Sequence, residues 1–223
     1  MIGLLIIATN DYVDFLQPLL ESTDKYFLNN KDVTYFIFTN REVELTSSRN
    51  VVVTKVEHRQ WPWMTLGRYK IFSDNQELFS DMDYLFYCDS DMLFVGDVGE
   101  EILSERVATI HPGFKGGRGT PETNPDSSAY IRPDEPMIYF AGGFNGGTKE
   151  EYLRMSNTIS VNINDDYRKG LIAVWHDESH MNRYFVNFRP TKILNYDYCC
   201  PETWKKDRSK LLALDKNHEE IRR

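Results

Sequence analysis

The residues Ile2-Gly-Leu-Leu-Ile-Ile-Ala8 form an unbroken apolar run that stops abruptly at Thr9-Asn10-Asp11. A run without polar alternation has two faces to bury, which points to a central strand of a parallel sheet. It is too short to cross a membrane and lacks the basic flank of a leader peptide. Three comparable runs follow at Val33–Thr39, Val51–Val56 and Tyr84–Cys88. They are rich in β-branched and aromatic residues, which suit a pleated, buried surface. Between them, Phe15, Leu16, Leu19, Leu20 and Phe27 repeat at helical spacing, which predicts a helix over 14–27. A second helix is predicted over 65–79. Strand, helix, strand, strand, helix, strand is the order of an α/β sheet in the doubly wound style. In such sheets ligands bind beyond the carboxyl ends of the strands, here Thr9, Asn10 and Tyr12 after the first strand and Asp89 and Asp91 after the fourth.

Beyond Ile110 the texture changes. Residues 111–136 are rich in Gly, Pro, Ser and Thr and read as a long surface loop or mobile flap. Phe140-Ala-Gly-Gly-Phe-Asn-Gly-Gly147 packs four glycines into eight residues, which suits either a tight turn or a wall that backbone and ligand approach closely. A helix over 149–164 is predicted next, then the polar cluster Trp175-His-Asp-Glu-Ser-His180 and a mixed-charge tail over 205–223. The chain of 223 residues carries 41% hydrophobic residues, enough for one sizeable core. Its 26 basic against 34 acidic residues give a net charge of -8, which argues against a nucleic-acid backbone as partner. Three cysteines, two of them the adjacent Cys199 and Cys200, make neither a disulfide framework nor a zinc spacing and point to a reducing compartment.

Two segments carry candidate chemistry. Asp89-Ser90-Asp91 lies between the buried runs Tyr84–Cys88 and Met92–Val95. Carboxylates wedged between buried runs need a partner, and oxygen pairs of this kind suit Mg²⁺ or Mn²⁺ shared with substrate phosphates. The alternative is a solvated acidic turn. In His176-Asp177-Glu178-Ser179-His180 the glutamate does not follow the first histidine, so the zinc-peptidase pattern fails. Two readings remain: a surface acidic patch, or, with Trp175 and Tyr184 as flanking walls, a cleft in which Glu178 serves as nucleophile or electrostatic stabiliser at a sugar carbon.

Eight segments together resemble glycosyltransferase family 6, the family of the blood-group A and B transferases and the α-1,3-galactosyltransferase. They are Trp61–Arg68, Asp83–Asp91, Val98–Leu103, His111–Phe114, Ser128–Ile131, Tyr139–Gly147, Val174–Asn182 and Lys216–His218, in the family's order. The resemblance implies a single-domain GT-A fold with a Rossmann-like mixed central sheet flanked by helices. Residues 1–95 would be mainly nucleotide-binding, 96–204 mainly acceptor- and donor-sugar-binding, and 205–223 a tail closing over the diphosphate. It implies retaining, α-1,3-forming transfer of galactose or N-acetylgalactosamine from a UDP-sugar donor to an oligosaccharide or glycan acceptor.

By the same resemblance, Asp89 and Asp91, with Ser90 between them, hold Mn²⁺, or Mg²⁺, on the diphosphate. Tyr12 stacks on uracil beside Ile7, Ala8 and Thr9, while Arg68 and Asp177 contact the donor sugar. Glu178 is the nucleophile or the stabiliser of an oxocarbenium-like state, and His111, Trp175 and His176 join it on the acceptor side. Lys216 and Arg222 fold over the diphosphate. Ala141 and Gly143, on either side of Gly142, tune the donor; their small size leaves room for an acetamido group. Another donor such as UDP-glucose, and an inactive carbohydrate-binding protein, are the alternatives.

The chain departs from vertebrate members in showing no anchor or stem, which points to a short bacterial or phage type working in the cytoplasm. It departs from many bacterial members in keeping both aspartates of the acidic pair. Thr120–Pro125 lacks the family's Tyr-Glu-Arg-Arg stretch, which leaves the acceptor open.

Overall fold

The computed structural model describes residues 1–216. The expected role of Arg222 and the end of the 205–223 tail therefore lie outside the described residues. The first apolar run is strand β1 (Ile2–Ile7), followed by a 3-10 turn at Asn10–Phe15 and helix α1 (Leu16–Tyr26). Pro18 stands third in α1, where its missing N–H has no intrahelical acceptor to lose. Strands β2 (Val33–Thr39) and β3 (Asn50–Lys55) come next. Helix α2 (Trp63–Asp74) stops short of the predicted end. Asn75 ends it by donating its side-chain amide to the Ile71 carbonyl at 2.8 Å, and Gln76–Phe79 continues only as a 3-10 turn.

After β4 (Tyr84–Cys88) and β5 (Met92–Phe94) come β6 (Arg106–Ile110) and β7 (Phe140–Thr148). Helix α3 (Lys149–Arg168) runs past the predicted 164 because its stop signal is Gly170, at φ +73°. There Leu171 and Gly170 return hydrogen bonds to the carbonyls of Asp166 and Tyr167, closing the last turn. Helix α4 (His176–Asn187), β8 (Lys192–Leu194), β9 (Cys200–Pro201) and β10 (Leu211–Ala213) complete the described order.

The main sheet runs β3-β2-β1-β4-β7-β6-β8, with β5, β10 and β9 in a small second sheet. Strands β3, β2, β1 and β4 are mutually parallel, and β7 alone runs against its neighbours β4 and β6. This is the mixed central sheet expected of the fold. Alternation along each strand sorts the core into two layers. Leu4, Ile6, Ala8, Phe86 and Cys88 pack with α1 on one face, and Leu5, Leu85 and Tyr87 pack with Tyr69 and Phe72 of α2 on the other. Chain order reverses between β1, which leads on to β2, and β4 on its other side. The ends of β1 and β4 therefore open a crevice at the switch point. Because β7 is antiparallel, Cys88 at the end of β4 faces Phe144, and the start of β7 lies beside the same crevice.

The glycine-rich segment is thus neither a turn nor a loop but an interior strand. Its composition hides it, since glycine is depleted in strands. Close packing demands it. A Cβ on Gly146 would stand 2.2 Å from the Phe86 ring and 2.6 Å from the Leu85 carbonyl oxygen, and one on Gly147 would stand 2.2 Å from the Glu105 carbonyl oxygen.

Residues 111–139 are irregular, as their composition suggests, yet they are pinned to the body. Ser127 Oγ and the Ser128 N–H both donate to the buried Asp166 carboxylate, while Glu122 accepts from Val174 N at 2.7 Å. No helix among the described residues is long and apolar enough to cross a membrane. Gly147→Ala should cost about 2 kcal/mol or more, because backbone rather than a flexible side chain must yield. Urea unfolding measures this, and an unchanged midpoint would contradict the packing described.

Candidate active site

The crevice is a cavity lined from four directions. Ile7, Thr9 and Tyr12 come from the end of β1, and Asp89, Ser90 and Asp91 from the end of β4. Met64, Thr65 and Arg68 come from α2, His58, Arg59 and Trp61 from the segment before it, and Lys216 closes one side. The turn after β1 is held by a reciprocal pair: Asn10 N donates to Asn40 Oδ1, and Asn40 Nδ2 donates to Asn10 Oδ1, both at 2.8 Å. This lets Asn10 hold φ +51° and carry Tyr12 to the rim. The His58 ring nitrogen lies 2.9 Å from Thr9 Oγ1 and braces the opposite wall.

Asp89 and Asp91 occupy the cavity floor. The N–H of Asp89 donates to the Gly143 carbonyl at 2.9 Å, and the Tyr87 hydroxyl donates to its carboxylate at 2.5 Å. Asp91 is buried and forms an ion pair with the Lys216 ammonium, which also stands 5.7 Å from the Tyr12 ring centre. Among the described residues no group of three or more His, Cys, Asp or Glu is placed to hold a metal. The donor set is two hard oxygen ligands. It fits a Mg²⁺- or Mn²⁺-type cation that draws its remaining ligands from phosphate and water, and the ammonium against Asp91 marks where positive charge is already accommodated.

Arg68 connects this floor to the helix α4 side. Its guanidinium is buried, ion-paired with the equally buried Asp177, and donates to the Gly142 carbonyl at 3.0 Å. It also lies 3.5 Å from Asp89 and 4.2 Å from the Tyr87 ring centre. Burial works against its charge, but Asp177, Tyr87 and Asp89 outweigh burial and hold its pKa well above the ordinary value.

Glu178, next in the first turn of α4, accepts the Gly142 N–H at 2.8 Å. Burial raises its carboxyl to about 7; the Gly142 N–H opposes this, and the Asp177 charge adds to it. Asn182, one turn on, fixes α4 to β7: its Oδ1 accepts from Phe140 N at 2.8 Å, and its Nδ2 donates to Phe140 O at 2.9 Å and to the Glu178 carbonyl at 3.0 Å. Alternation along β7 then turns Gly142 towards Arg68 and Glu178, and Gly143 towards Asp89, Met92 and Cys199.

The remaining expected residues lie outside the cavity lining. His111 is half-buried, packs on Phe114 and Tyr139, and burial lowers its pKa. Tyr139 packs its ring against His111, and burial and then the Glu178 charge raise its hydroxyl pKa. Trp175 is exposed and donates its indole N–H to Thr120 Oγ1 at 2.7 Å. His176 sits at φ +52° and packs edge-on against Trp61. Ala141 is buried in the core layer that also holds Phe144, and the Ala8 side chain is sealed in that core and does not line the cavity.

Sequence reasoning missed His58, Arg59, Met64, Thr65 and Tyr139. None belongs to a spacing that signals chemistry, although Met64 and Thr65 lie within the marked segment Trp61–Arg68 and Tyr139 opens the marked segment Tyr139–Gly147.

The model of "Glycosyltransferase family 6" matches residues 1–223. The rat "Histo-blood group ABO system transferase 1" is 37% identical over 237 residues, covering 99% of this chain and 68% of its own length. The dog "Globoside alpha-1,3-N-acetylgalactosaminyltransferase 1" is 31% identical over 88% of this chain and 60% of its own length. The Escherichia coli "O-antigen biosynthesis glycosyltransferase WbnI" is 26% identical over 98% of this chain and 96% of its own.

Arg68→Met should lower stability by about 3–5 kcal/mol, because Asp177 is left buried without its counter-charge. Adding Asp177→Leu should recover most of the loss. Urea unfolding of the single and double variants checks this, and equal stability of Arg68→Met and the parent would contradict it.

Proposed function

The chain belongs to glycosyltransferase family 6, and we propose that it moves galactose or N-acetylgalactosamine from a UDP-sugar to a glycan hydroxyl, retaining configuration in an α-1,3 linkage. The observation that carries this reading is the continuous contact from the Asp89–Asp91 floor through Arg68 and Gly142 to Glu178. One end suits a nucleoside diphosphate, and the other presents a carboxylate where the sugar would end. The names of the rat, dog and E. coli relatives point to the same class. N-acetylgalactosamine is the favoured donor sugar, since small residues, Ala141 and Gly143, stand where the family resemblance puts the two donor-tuning positions.

Asp89 and Asp91 would hold Mn²⁺, with Mg²⁺ as the alternative; when bound, the cation offsets charge on the departing UDP. The chain's own residues do the rest. Tyr12 offers an aromatic face for the base, beside Ile7 and Thr9. Lys216, which neutralises Asp91 in the free protein, is placed to transfer its charge to the diphosphate. Arg68 and Asp177 orient the sugar, and the rigid Arg68 fork keeps the Gly142 carbonyl and Asp89 at fixed separation. Glu178 meets the anomeric carbon as nucleophile or as charge stabiliser; both retaining routes put an ionised carboxylate there. His111, Trp175 and His176 form the acceptor side.

Ionised Glu178 sets a pH dependence. Its pKa is raised to about 7, so it is protonated and inactive below that value, and kcat/KM should rise through about pH 7 and level off above. In Mn²⁺ the chain should release UDP from a UDP-sugar, and EDTA should abolish the release. Glu178→Gln should cut the rate roughly 10²–10³-fold, erase the pH limb and leave UDP binding intact. Full activity of Asp91→Asn in EDTA would remove the metal from the account, and equal loss of UDP affinity in Glu178→Gln would remove Glu178 from the sugar carbon.

A further inference from the structure

A second basin, of about 390 Å³, lies outside the cavity described above and is walled by Lys115, Tyr196, Cys200, Trp204, Lys205 and Lys206. That volume has room for a monosaccharide unit. Its chemistry runs against the rest of the chain. The protein is acidic, at -8, yet three exposed lysines converge here. The carboxylate that also lines the basin, Asp197, is already bound by Arg208 at 3.1 Å. Among the described residues none of the three ammonium groups has a carboxylate partner. Lys115 stands 5.9 Å from the centre of the Trp204 ring, and that ring is 45% exposed. Three ammonium groups beside a half-exposed indole offer complementary contacts to a ligand that carries an anion and an apolar face.

The basin also adjoins the acceptor side. Lys115 donates its N–H to the His111 carbonyl at 3.1 Å, so one wall grows from the His111 turn. Cys200 follows Cys199, whose sulfur would lie 3.4 Å from a Cβ on Gly143, so the other wall grows from the donor-sugar edge. A glycan entering along His111 would extend its next unit into this space.

We propose that the basin is an outer acceptor subsite for a monosaccharide unit bearing an anionic group, a carboxylate or a phosphate. Trp204 stacks on the C–H face of the pyranose, and Lys115, Lys205 and Lys206 meet the anion. The proposal rests on the transferase reading, but its test needs no donor.

Saturation-transfer NMR titration of the full chain would compare methyl glucuronide, glucose 6-phosphate and uncharged methyl glucoside. At least one charged probe should bind roughly tenfold tighter than the glucoside and weaken as salt rises, as exposed charge contacts do. Which charged probe binds identifies the anion. Trp204→Ala and the pair Lys115→Gln, Lys205→Gln should each weaken it about fivefold or more. All three side chains are exposed, so the variants spare the core. Equal binding of charged and neutral probes, or charged-probe binding that survives both variants, would overturn the subsite. UDP release from a UDP-sugar by the parent chain judges the transferase reading separately, so either can fail alone.

Discussion

A buried guanidinium is costly unless carboxylates and carbonyls surround it, and the site is arranged around meeting that demand for Arg68. Its partners come from separate elements: Asp177 from α4, the Gly142 carbonyl from β7, Asp89 from the end of β4 and the Tyr87 ring from β4 itself. Each contact fixes one element against α2. The same contacts that compensate one charge therefore set the distance between the acidic floor of the cavity and Glu178.

Topology makes this convergence possible. A purely parallel sheet would send the neighbour of β4 away in the same direction, with its start at the far end. The reversed β7 instead begins beside the end of β4, so Gly142 and Gly143 flank Asp89. Asn182 then holds α4 on the first residue of β7 and brings Asp177 and Glu178 into the same space. The small residues of β7 allow it: a side chain at Gly142 would meet Arg68 at 3.3 Å and Glu178 at 3.4 Å.

Much of this was legible in the residues, for physical reasons that differ by segment. Strands β1, β2 and β4 are buried on both faces, so their apolar runs announce them. Helix α3 is amphipathic and was legible, but its end depends on the left-handed Gly170 rather than on loss of periodicity. Strand β7 was illegible because close approach to Phe86 and Glu105 selects residues that carry no strand signal. Helix α4 was hidden because its first turn is polar, and those polar groups are buried against Arg68 and Gly142. The acidic pair and Glu178 were marked from motif and setting, whereas His58 and Tyr139 act only through three-dimensional neighbours, Thr9 in one case and the Glu178 region in the other.

The proposed placement of the Glu178 carboxylate at the sugar carbon requires that transfer retain configuration. Proton NMR of the sugar formed in the first moments after a UDP-α-sugar meets the protein and Mn²⁺ reads this directly, before mutarotation mixes the anomers. With retention, the α-anomer appears first. First appearance of the β-anomer would contradict it.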